Sequence, residues 1–200
     1  MKPKNIWTRR AGALALACAL TGALEPPAGA MTLIRAGLDE LVAANTTIVV
    51  AQVVDALSYW NADASFILTD VRLTPTQVLK GQAEPEITLT LMGGTAGEFT
   101  TLIPGGANLL PDRRYVLFLR DAALPGTEPL LTVAEHCQGV FDIESRDGGD
   151  WAISQAAGEA LIPDEGEPET GADVPGGAKG LSLDELLQSI LARVAGGGDQ

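Results

Sequence analysis

Between residues 46 and 154 the chain sustains no helical period. Short apolar runs recur there instead, separated by Gly, Pro and Asp. Residues 46–54 (TTIVVAQVV) are β-branched and nearly continuous, the pattern of a strand covered on both faces. Residues 65–79 form a longer run with imperfect alternation, in which Pro75 limits pairing. In residues 86–92, Ile87, Leu89 and Leu91 alternate with Thr88 and Thr90, as a half-buried strand requires. Residues 99–103, 115–119, 130–133, 139–143 and 151–154 supply further short strands. Gly93-Gly94, Gly105-Gly106, Pro111-Asp112 and the 147–150 turn (DGGD) punctuate them, and residues 58–63 read as the connection between the first two strands. Many short strands at close spacing predict a mainly β chain, an antiparallel barrel or sandwich. Closing the sheet into a barrel would hide the edges of its Val-rich first strand.

The segments flanking this core have other periods. Residues 32–45 carry Leu33, Ile34, Leu38, Leu41 and Val42 at three- and four-residue spacing and predict a short N-terminal helix. Residues 156–180 are acidic and rich in Pro and Gly, so they predict a flexible linker. In residues 181–200, Ser182 and Glu185 form a capping box. An apolar stripe of Leu183, Leu186, Leu187, Ile190, Leu191 and Val194 follows, up to the stop at Gly196-Gly197-Gly198. This amphipathic C-terminal helix is marginal alone in water. It must dock, on its own sheet or on a partner.

The first thirty residues carry an export signal. Lys2, Lys4, Arg9 and Arg10 precede an apolar stretch from 11 to 24, and Ala28-Gly29-Ala30 offers a small-x-small cleavage site. The stretch is short for a membrane span. Sec-type export with cleavage after Ala30 is expected, giving a periplasmic or extracellular protein. Arg9-Arg10 lacks the usual continuation of a Tat signal, and Ala17-Cys18 lacks the Leu of a lipobox. Cleavage would leave nine basic and 25 acidic side chains, a net charge of −16. That charge excludes nucleic acid and anionic lipid as partners, and no stable membrane insertion is expected after cleavage. It would also leave Cys137 as the sole thiol, so no internal disulfide can staple the fold.

The chemistry-bearing residues are sparse. His136 and Cys137 are adjacent, but neighbouring side chains on a strand point to opposite faces, and a nucleophile must reach its base. They are also too few for a zinc site. No serine sits in a G-x-S-x-G context. The 93–97 loop (GGTAG) lacks the lysine and helix of a phosphate cradle. Asp142, Glu144, Asp147 and Asp150 lack the spacing of an EF-hand loop and read as a solvated acidic hairpin. No catalytic set, metal site or cofactor is expected. A pair of carboxylates placed by the fold stays open, because their separation is a structural quantity.

One ordered set of short motifs has a wider echo: Thr69-Asp70-Val71, Val78-Leu79-Lys80-Gly81, Gly93-Gly94, Val116-Leu117-Phe118-Leu119 and Gln138-Gly139-Val140-Phe141. Their order resembles a group of uncharacterised secreted bacterial proteins related to the small OB-like barrels of netrin and metalloprotease-inhibitor modules. The resemblance spans residues 46–143 and implies an OB-like barrel. The inhibitors' use of an N-terminal cysteine on a catalytic metal does not carry over, because Met31 would be the first mature residue here. The expected function is an exported, non-catalytic module that binds an extracytoplasmic protein, a secreted protease being the specific case. Trp60, Leu186 and Ile190 are the candidate contact residues, although each also has an ordinary core role. An exported hydrolase using carboxylates or Cys137 is the alternative, and a structural envelope component is a third.

Overall fold

The computed structural model describes residues 33–146, 148–158, 161–162 and 179–197. The segment expected to be an export signal, Cys18, Asp147 and most of the acidic segment 156–180 lie outside the described residues. The strands are β1 (Leu33–Ile34), β2 (Thr47–Trp60), β3 (Ile67–Lys80), β4 (Ile87–Met92), β5 (Gly94–Ala96), β6 (Phe99–Thr101), β7 (Arg114–Ala123), β8 (Pro129–Val133), β9 (Val140–Arg146), β10 (Gly149–Ser154), β11 (Leu161–Ile162) and β12 (Leu181–Ser182). The helices are α1 (Leu38–Ala44) and α2 (Leu183–Gly196). A mainly β, antiparallel architecture with a short N-terminal and a C-terminal helix is what the strand pattern predicts.

The main sheet runs β12-β10-β9-β7-β2-β3-β4, with β8 paired to the far part of β7. Its two central strands are buried on both faces, and alternation explains how. Ile48, Val50, Val116 and Phe118 face one apolar cluster with Leu41 and Val42 of α1 and Leu183, Leu186 and Ile190 of α2. Val49, Ala51, Val53, Tyr115, Leu117 and Leu119 face a second cluster with Val71, Leu89 and Leu109. Two helices therefore cover one face. The other face is capped in part by the loop that carries Leu109. The α2 stripe docks on its own sheet, and the Ser182–Glu185 capping box forms as its spacing requires.

Two expectations are corrected. The N-terminal helix does not begin at residue 32. Leu33–Ile34 is extended and pairs in parallel with Leu161–Ile162. The Gln138 side-chain amide fixes that conformation, donating to the Ile34 carbonyl and accepting from the Ala36 N–H, each at 2.8 Å. The helix starts after Gly37, whose N–H donates to the Glu40 carboxylate at 3.0 Å. Next, Ser58, Tyr59 and Trp60 are not a connection: β2 runs through them, paired with Thr69, Leu68 and Ile67. Pairing continues there because the register slips near Val54, between Val53 and Asp55, as a bulge does. Leu186 and Ile190 of α2 take the core role that their apolar stripe allows, and both are fully buried.

Candidate functional site

The strands of the β5–β6 hairpin and the loop 102–113 border a groove next to the second cluster. One cavity of about 440 Å³ is lined by Ser58, Thr69, Leu91, Met92, Thr100, Leu102 and Ile103, among others. A second, of about 180 Å³, shares Leu91, Met92, Ile103, Gly106 and Ala107 with it and continues to Arg120, Glu135 and His136. The floor is apolar. The walls carry hydroxyls at one end and charges at the other.

Local chemistry explains the shape. Gly93 and Gly94 have φ of +88° and +124°, a region that side chains disfavour. A Cβ on Gly94 would collide with the Thr69 and Ser58 hydroxyls. Those hydroxyls hydrogen-bond to each other at 2.8 Å, and Thr69 Oγ1 lies 2.7 Å from the Gly93 carbonyl. The strand can therefore turn sharply into the β5–β6 hairpin against the end of β2. At the other end, Glu135 and His136 are consecutive non-glycine residues at φ +46° and +59°. Such strain persists only where surrounding structure imposes it. Here the Cys137 N–H donates to the Gly105 carbonyl at 3.0 Å, and Arg120 pairs with Glu135 at 2.9 Å.

Trp60 does not line the groove itself but lies two residues beyond Ser58, which does, on the same strand and so on the same face. It remains 40% exposed and meets Phe99 edge-on, with ring centroids 5.6 Å apart. Phe99 is 63% exposed and Leu102 84% exposed. Of the sequence-derived candidates, Trp60 thus lies on accessible surface, whereas Leu186 and Ile190 lie in the core. Phe99 and Leu102 are not legible as site residues, because a short hairpin with little apolar content gives no periodic signal.

His136 and Cys137 do not share a cavity. His136 lines the Arg120–Glu135 end of the groove. Cys137 is buried and borders a separate recess with Asn108, Tyr115, Asp142 and Gln155. Burial pushes the Asp142 carboxyl above the ordinary carboxylate range, with Glu144 adding to the rise. A hydrogen bond from Gln155 and the Arg113 guanidinium, 4.0 Å away, oppose it. Burial likewise raises the Tyr115 phenol, whose oxygen accepts the Leu110 N–H at 2.9 Å. The acidic hairpin is engaged by arginines: Arg146 with Glu144 at 3.1 Å and Arg114 with Asp150 at 2.6 Å. Hydrogen bonds from Ser145 and Arg114 hold Asp150 below its usual range. Among the described residues, no three His, Cys, Asp or Glu side chains gather as a metal site would need. No described helix is long and apolar enough to cross a membrane. No protein-family model, curated protein or solved structure matches the chain.

Proposed function

We propose that this is an exported, non-catalytic binding module that takes an apolar segment of an extracytoplasmic protein, a secreted protease being the specific case, into the groove beside Trp60. The observation that carries the reading is the exposed Trp60–Phe99 pair, whose strand neighbours Ser58 and Thr100 line the groove together with the exposed Leu102. Only eight aromatic side chains follow residue 30. Placing two of them in water is costly unless a partner covers them, and aromatic anchors dominate protein interfaces. The fold reading that accompanies this is a partly open OB-like barrel. Its support is the Thr132 hydroxyl, which donates to the Thr90 carbonyl at 2.6 Å and links β8 to β4. The strands then follow one another as β2-β3-β4-β8-β7 and back to β2.

The test is an inhibition assay with the processed protein and a panel of purified extracytoplasmic proteases. The reading expects saturable inhibition of at least one of them without cleavage of the module. Trp60→Ala and Phe99→Ala should each weaken it by about tenfold or more, the loss expected of an interface anchor. Full inhibition by both variants contradicts the reading. So does turnover of a screened substrate that is lost in Cys137→Ala, which would establish the hydrolase alternative at the Asp142 recess.

A further inference from the structure

Strand β2 is longer than the partners on one of its sides. It pairs with β7 only over Thr47–Gln52 but with β3 as far as Trp60. Val53 closes the β7 side by exchanging backbone bonds with Arg113 and Asp112, each at 2.9 Å. From Val54 to Trp60 the side of β2 away from β3 pairs with no strand among the described residues. At about 3.4 Å per residue this is an open edge of about 24 Å. Protected edges carry lysine, proline, inward charge or a bulge; the bulge near Val54 lies at one end of this edge and leaves Asp55 to Trp60 in regular register. This one has no Lys or Pro, and its sole charge, Asp55, is tied to Arg72 at 3.0 Å. Leu57, at its centre, is 68% exposed.

We infer that this edge pairs antiparallel with the same edge of a second copy, about a two-fold axis at Leu57. The sequence is self-complementary in that register. Leu57 meets Leu57, Ala56 meets Ser58, Asp55 meets Tyr59 and Val54 meets Trp60, so no charge faces a like charge. An isologous two-fold contact of this kind closes on itself and occupies this edge on both copies. The large net negative charge opposes association, so the dimer strengthens as salt screens it. The contact involves Trp60, which the proposed function also uses, but it needs no protease, and Leu57→Lys tests it with Trp60 left in place.

The test is sedimentation of the processed protein at low salt and at about 0.5 M salt, where screening reaches only a few ångströms. A dimer is expected, tighter at high salt. Leu57→Lys should weaken it by about tenfold or more, or roughly 1.4 kcal/mol. Val78→Lys, at a 44% exposed residue of β3, should leave it unchanged. Under copper–phenanthroline oxidation Leu57→Cys should form a covalent dimer, since cross-strand Cα spacing suits a disulfide. Wild type, with its buried Cys137, should not. A monomer at every salt concentration overturns the inference. So does a dimer that survives Leu57→Lys or fails to cross-link through Leu57→Cys.

Discussion

The Gln155 side-chain amide grips the backbone of Asn108 from both sides, accepting its N–H at 2.9 Å and donating to its carbonyl at 2.7 Å. It acts as a one-residue strand and ties the 102–113 loop to the end of β10. Leu109, the next residue, is thereby held in the second core cluster. The loop forms one wall of the groove, so Gln155 positions the candidate site without lining its apolar floor.

Gln155→Leu keeps the side chain's bulk and removes both bonds. Each is solvent-accessible and worth about 1 kcal/mol, so a loss of about 1–2 kcal/mol in unfolding free energy is expected. Amide exchange should accelerate at Asn108, Leu109 and Leu110 ahead of the central strands. Uniform acceleration across β2 and β7 would mean that the loop has no separate anchor.

The raised Asp142 carboxyl makes stability depend on pH with a definite sign. The folded protein holds this proton more tightly than the unfolded chain does. Its contribution to stability therefore rises as pH falls through the raised value toward the ordinary value near 3.8. At neutral pH the buried charge is a cost. Asp142→Asn should melt higher than wild type at pH 7, and that advantage should shrink on acidification through the carboxylate range. Thermal melts across this range check it. An advantage that grows toward acid would show that the Arg113 pairing outweighs burial.

Ile190 is fully buried where α2 meets the sheet. Ile190→Ala should cost about 2–5 kcal/mol, the usual range for emptying a core aliphatic site, and should lower the melting temperature of the whole protein in one transition. Loss of helix signal with the sheet still cooperative would mean that α2 is an independent element.

The strands were legible because their signal is local. In residues 46–54 and 115–119 apolar side chains occupy consecutive positions, and both faces of β2 and β7 are buried. The α2 start was legible because Ser182 and Glu185 lie within one turn of each other. The local signal fails where a distant residue decides. Leu33 and Ile34 have helical spacing to Leu38, but Gln138, 102 residues beyond Ala36, holds them extended. Trp60 is legible as an isolated aromatic, yet its strand position depends on the bulge near Val54. The groove draws on segments near residues 58, 69, 92, 103, 120 and 136. No local period relates these segments, so the site emerges only when the sheet curls and brings Thr132 to Thr90.

Amide and methyl shift mapping, on adding the protease that the module inhibits, tests the central claim most directly. The account predicts that perturbations concentrate on the Trp60 indole, Phe99, Leu102, Met92 and Ile103, with the α2 face silent. Perturbations centred on Cys137, Tyr115 and Asp142, or on α2, would contradict it.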